Sequence, residues 1–253
     1  MKDLRFAWMF PDTLYLHGER GNISAIDKYC KECGIKTTWD RIDLDNEDFD
    51  PEAYDVLFFP PGEISSFPVI IDAMRPYKDR LVRRIESGKP MLVTGTTVAM
   101  FCDHISRTDG SEISGIGILS AISVEKESVY GDDIYFETEF GGTKNEVIGA
   151  QIQMTDFTNS GEKPFGRIIY GYGNNGKTRE EGFIKNNSIF TNALGPMFAL
   201  NPWMIDKFIA AALPGEQLPA VDSVENIEFQ RNAFEQKKED ILTKKTDLTN
   251  HLN

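Results

Sequence analysis

The strongest constraint on this chain is a rhythm in its first hundred residues. Apolar or alternating runs of strand length at 4–10, 35–42, 55–59 and 91–94 are interleaved with helical spacing at 23–33 and 67–85. The runs at 55–59 and 91–94 are apolar but for Asp55 at the start of one and Thr94 at the end of the other, so such strands must be covered on both faces. Strands of that kind separated by helices pair in parallel, with helices on both sides of the sheet. Pro60-Pro61-Gly62 ends the third run, and Gly34 and Gly88 sit where the helices should close. Pro76 lies inside the long helical stretch and is expected to kink it or divide it in two.

The second half is richer in strands. Runs at 117–124, 133–139, 146–154, 165–172 and 188–192 are separated by Gly, Asn and Asp turn residues. Asn201-Pro202 then opens a helix over 203–213, and Pro214-Gly215 ends it. These signals define one large domain, 1–213, followed by a charged helical tail, 214–253. In the tail Ile227, Phe234, Ile241 and Leu248 recur every seventh residue, while Arg231, Lys238 and Lys245 occupy the other seam positions. That is a poor coiled coil but a serviceable single stripe, read as a helix laid on its own domain or, alternatively, on a partner.

Charge excludes some roles. With 27 basic and 40 acidic side chains the net charge is −13, which opposes generic attraction to nucleic acid or anionic membrane. No apolar run has the length of a membrane span, and the first residues lack signal-peptide organisation. The three cysteines, Cys30, Cys33 and Cys102, are no disulfide framework, and the expected setting is cytoplasmic. Cys30 and Cys33 form a C-x-x-C without the second ligand pair that zinc needs. They are read as two core-facing thiols at the end of a helix. No metal or cofactor is expected.

Six short strings carry a resemblance. They are Gly18-Glu19-Arg20-Gly21-Asn22-Ile23, Gly115-Ile116-Gly117-Ile118-Leu119, Gly171-Tyr172-Gly173-Asn174-Asn175, Glu181-Gly182, Gly195-Pro196 and Asn201-Pro202. In order and spacing, from about Leu4 to Leu213, the chain resembles the class I glutamine amidotransferases of the cobyric acid synthase (CobB/CobQ) type. Within them it is most similar to the glutaminase subunits of lipid II isoglutaminyl synthase. The resemblance implies an α/β fold, a doubly wound sandwich with a largely parallel central sheet. It also implies a Mur-ligase-like partner that receives ammonia during peptidoglycan precursor modification.

Such an enzyme needs a cysteine thiolate on a sharp strand-to-helix turn, a histidine to move the proton, and backbone N–H groups for the oxyanion. Aligned on the family pattern, the nucleophile position falls on Gly95 and the base position on Leu194; neither side chain can do that chemistry. Pro60 and Pro61 have no N–H to offer an oxyanion, Gly62 follows, and Glu63 adds negative charge. The arginine that holds the glutamine carboxylate in the family would fall near Asp156, within 151–157. Nucleophile, base, oxyanion donors and substrate clamp thus all differ.

Three roles follow. The first is a non-catalytic subunit that binds the Mur-ligase-like partner. The second is an active amidotransferase or rebuilt hydrolase using Cys102 and His104. Cys102 lies about 10 Å beyond Gly95 if the helix is continuous, and reads as a core thiol beside a surface histidine. The third is a sensor that takes a small-molecule ligand in a vacated, roomier pocket around Gly95, Leu194 and Pro61. Thr94 or Thr96 is expected to cap the elbow helix, and His17 is read as a surface loop histidine.

Overall fold

A computed structural model describes residues 2–46, 49–223, 225 and 227–251; side chains are described to residue 245. In chain order the elements are β1 (Lys2–Met9), α1 (Gly21–Glu32), β2 (Ile35–Ile42), β3 (Val56–Phe59), α2 (Phe67–Met74), α3 (Lys78–Glu86) and β4 (Met91–Thr94). Then follow α4 (Val98–Phe101), β5 (His104–Ser106), β6 (Glu112–Ser114), β7 (Ala121–Thr138), β8 (Asn145–Asn159) and β9 (Gly166–Tyr170). The last are β10 (Glu180–Glu181), β11 (Phe183–Lys185), β12 (Ser188–Thr191), α5 (Met197–Leu200), α6 (Trp203–Ala212) and α7 (Ile227–His251).

Two six-stranded sheets result. The first has the order β11-β12-β4-β3-β1-β2, and every pairing in it is parallel except that of the edge strand β11. Its faces are covered on both sides. Leu4 and Phe6 pack with Ile26 of α1 and Phe208 of α6, whereas Ala7 and Met9 pack with Ile70 and Ile71 of α2 and Leu81 of α3. This is the doubly wound arrangement that the apolar strands require. The second sheet, β10-β9-β7-β5-β6 with β8 also on β7, is largely antiparallel.

Pro76 does divide the long helical stretch: α2 ends at Met74, Arg75–Tyr77 is a 3₁₀ turn, and α3 resumes at Lys78. A proline ring removes one N–H and crowds the preceding turn, so the chain tightens there. The separate strands expected at 117–124 and 133–139 are one long strand, β7, with a register shift between Glu125 and Tyr130. The charge-rich stretch 125–132 reads as a break in the sequence, but a bulge carries it through the ladder. Cys30 is buried in the core, and Cys33, the half-buried C-cap of α1, packs against the same cluster from its edge.

Helix α7 lies along the second sheet. Ile241 is fully buried among Tyr135, Ile148 and Tyr170, and Ile227 and Phe234 continue the same stripe. The side chain of Leu248 lies outside the described residues. Three lysines flank the stripe. Lys237 and Lys244 reach Asp133 at 2.6 Å each, and Lys238 pairs with Glu146. Among the described residues no helix is long and apolar enough to cross a membrane.

Candidate functional site

Because β1, β3, β4 and β12 run parallel, their C-terminal ends open on one edge of the sheet, and the loops leaving them meet there. The turn after β4 is the centre of that edge. Gly95 has φ +61°, a conformation that only glycine adopts freely. A Cβ built on Gly95 would lie 2.9 Å from Pro61 Cβ and 3.2 Å from Leu194 Cδ2. Three residues from three loops, the outer two, Pro61 and Leu194, far apart in the chain, therefore converge on one point. All three are buried.

The expectation of a roomier, vacated pocket is corrected by this packing. The Leu194 side chain, 1% exposed, and the Pro61 ring fill the volume in front of Gly95. An aliphatic branch and a pyrrolidine ring occupy space that would otherwise be wet and polar.

The threonines also do something other than expected. Thr94 makes no side-chain capping bond at the helix start. Its hydroxyl, with those of Thr96 and Thr97, points back to the β3 loop: Thr94 donates to the Phe59 carbonyl at 3.5 Å, Thr96 to Gly62 at 2.5 Å and Thr97 to Pro60 at 2.8 Å. The carbonyls of the Pro60–Gly62 segment are thus tied to the turn. Glu63 is exposed, with its carboxylate toward the Ser65 hydroxyl at 3.4 Å.

The retained glycine strings brace this edge. Glu19, 1% exposed, accepts one bond from the Gly195 N–H and one from the Asn22 side chain, both at 2.7 Å. Asn22 in turn accepts from the Phe198 N–H at 2.8 Å. Gly21 lies so close to Pro196 that a Cβ would be 2.3 Å from its Cγ. The Gly18–Ile23 segment therefore holds the loop that carries Leu194. Burial pushes the Glu19 carboxyl up to about 7, against the pull of its two donors.

A second buried network supports the same loop from behind. Glu181 accepts from the Thr191 hydroxyl at 2.7 Å and from Asn192 N–H at 2.8 Å; its complete burial raises its pKa. Asn174 accepts from Gly182 N–H at 2.8 Å and from Asn192 at 3.2 Å. Gln151 donates to the Gly173 carbonyl at 2.7 Å, and Asn175 donates to Phe157 at 3.0 Å. Sequence reasoning missed Gln151, Gln153, Thr191 and Asn192 in this network. The available signal was polar residues inside apolar surroundings: Gln151 and Gln153 at alternate positions of β8, and Thr191 with Asn192 directly after the apolar run Ile189-Phe190.

No hydrogen bond or ion pair joins Asp156 to the Gly95 turn among the described residues. It sits on β8, where one carboxylate oxygen pairs with Lys126 at 3.1 Å and accepts from the Tyr172 hydroxyl at 3.4 Å, while the other is buried without a hydrogen bond. Cys102 is fully buried just past the single turn of α4, its sulfur 3.7 Å from the Val98 carbonyl, and burial pushes its thiol far up. His104 begins β5 and is only half-buried. No hydrogen bond joins the two among the described residues, which leaves the thiol without a base. His17 is exposed in the loop after β1, as expected of a surface loop histidine, and partial desolvation lowers its pKa.

The fold is that of the class I glutamine amidotransferases. It superposes on PurLQS from Thermotoga maritima with a TM-score of 0.56 at 13% identity, covering 84% of this chain and 98% of that one. A second structure, described as a glutamine amidotransferase, gives 0.50 at 17% identity, with 81% and 98% covered.

By sequence the chain is similar to two particular proteins. It is 23% identical over 234 residues to the lipid II isoglutaminyl synthase (glutamine-hydrolyzing) subunit GatD of Streptococcus pneumoniae, covering 87% of this chain and 86% of that protein. It is 25% identical over 225 residues to the GatD subunit of Staphylococcus aureus, with 87% and 88% covered. No family model matches the chain.

Proposed function

We propose that this protein is an amidotransferase-like subunit of the cobyric acid synthase type, acting in peptidoglycan precursor modification, whose own glutaminase chemistry has been lost. In this reading residues 1–213 form the amidotransferase-like domain and 214–253 a helical tail. Its role is to bind a Mur-ligase-like partner. The likeness to GatD subunits over 87% of the chain supports the pathway and the kind of partner.

One observation carries the loss of activity. Gly95 keeps the positive φ of a nucleophile turn, but has no side chain, and Pro61 and Leu194 close on the space a cysteine would use. Glutamine hydrolysis requires the cysteine sulfur to attack the side-chain amide and a base to deliver a proton to the leaving ammonia. Glycine offers no sulfur and leucine accepts no proton. The buried Cys102 supplies no substitute, since desolvation disfavours its thiolate.

The test is an ammonia-release assay on the purified protein, alone and with the Mur-ligase-like chain from the same source. No turnover of glutamine above buffer is expected, together with co-elution of the two chains. Turnover that disappears in Cys102→Ala would establish the alternative of a rebuilt enzyme. Failure of the chains to associate would remove the partner from the proposal.

A further inference from the structure

Away from the filled edge lies a cavity of about 350 Å³, within the size range of small-molecule sites. It shares no lining residue with the Gly95 turn. Its walls come from three places: the Phe140–Gly142 turn after β7, the segment 163–167 entering β9, and Ile184 of β11. These walls are stitched together. The Thr138 hydroxyl donates to the Phe165 carbonyl at 2.6 Å and accepts from the Phe140 N–H at 3.2 Å. The Lys163 carbonyl accepts from the Ile184 N–H at 2.9 Å. The cleft is therefore held open by the fold, which lowers the ordering penalty for a ligand.

Its chemistry is two-sided. Phe140, Pro164, Phe165 and Ile184 supply apolar surface. Around them stand Lys144, Lys163 and Arg167, facing the carboxylates of Glu137 and Glu139. Lys144 is neutralised by Glu137 at 2.8 Å. The side chains of Lys163 and Arg167 have neither an ion pair nor a hydrogen bond among the described residues. Lys163 and Arg167 thus present two cations without a carboxylate partner at the rim of one partly apolar cleft. Three cations against two carboxylates leave one positive charge for a ligand to match.

We infer that this cleft binds a small molecule with a single negative charge on an apolar body, its carboxylate between Lys163 and Arg167 and its body against Phe140, Pro164 and Phe165. The inference concerns a different site from the Gly95 turn and stands whether or not the protein hydrolyses glutamine.

The test is isothermal titration calorimetry with N-acetylphenylalanine and with its uncharged amide, on the full chain and on the Lys163→Gln/Arg167→Gln variant. Both substituted side chains are exposed, so the variant should fold, as an unchanged thermal melt would verify. The acid should bind saturably, and the amide about tenfold or more weaker. The double variant should lose that preference, and rising salt should weaken only the acid. Absence of saturable binding by the acid, equal binding of acid and amide, or an unaltered preference in the variant would overturn the site. Tighter binding of the dianion benzyl phosphate would overturn the single-charge assignment.

Discussion

The carboxylate of Glu19 accepts a 2.7 Å hydrogen bond from the backbone N–H of Gly195, a residue 176 positions away in the chain. This bond ties the first loop of the fold to the last one that reaches the edge of the sheet. It fixes the backbone next to Leu194, and so determines what stands in front of Gly95. Replacing Glu19 by Ala leaves the Gly195 N–H and the Asn22 amide buried without an acceptor. Equilibrium urea unfolding should show a loss of about 2–3 kcal/mol.

The same carboxyl predicts a pH dependence. Its folded-state pKa, about 7, lies above its ordinary value of 4.5. The folded protein therefore holds this proton more tightly than the unfolded chain does. The corresponding stabilisation is complete below 4.5 and is lost as pH rises through about 7. Comparing denaturation midpoints of wild type and Glu19→Gln between those values should show a falling component in the wild type that the variant lacks.

A cysteine at position 95 should not by itself confer glutaminase activity. Gly95→Cys places a Cβ 2.9 Å from Pro61 in a backbone conformation that L residues adopt with strain. The cost is about 2–3 kcal/mol from strain and overpacking. Gly95→Ala combined with Pro61→Gly should cost less than the sum of the single changes, because the clash is shared; a double-mutant cycle in urea reads this directly.

Docking of α7 should respond to acid and salt. Burial pushes the Asp133 carboxyl up, but the Lys237 and Lys244 ammoniums together outweigh it and hold its pKa below the usual carboxylate value. Its stabilising effect is thus present above the unfolded-chain pKa and is lost as pH falls through the lowered folded value. Hydrogen exchange across 227–245 should accelerate in acid and in high salt before the central sheet opens. The lysines are partly exposed, so Lys237→Ala or Lys244→Ala should each cost less than about 1 kcal/mol.

Arg84 offers a control remote from the site. It is 1% exposed and donates to the carbonyls of Tyr54 and Asp55, at 2.8 Å each, and of Pro90 at 2.9 Å, joining the segments that enter β3 and β4. Arg84→Met should lower stability by about 2–3 kcal/mol, since the Asp55 carbonyl loses this donor and those of Tyr54 and Pro90 keep only the longer bonds from Lys89 Nζ at 3.3 Å and the Leu57 N–H at 3.4 Å, without changing binding at the Phe140–Arg167 cleft in the calorimetric assay.

The order of strands and helices through Glu86 was legible in the residues because periodicity and breakers are local properties. Pro76 splitting a helix and Gly34 closing one require only neighbouring chain. The second sheet was less legible. β7 runs through the mostly polar stretch 125–132 on the strength of its pairing with β8, which no local pattern in that stretch announces. The short strands β5, β6, β10 and β11 were missed for the same reason.

At the candidate site the sequence by itself determined composition: a glycine, a leucine and two prolines in three separate loops, and a set of glycine strings around them. Only the tertiary structure decided that Leu194 and Pro61 meet over Gly95 and close the space, that the elbow threonines point to carbonyls instead of capping a helix, and that Asp156 is paired with Lys126. Side-chain type is a property of one residue, whereas filled volume and compensated charge are properties of groups brought together from distant parts of the chain, and only the packed fold brings them together.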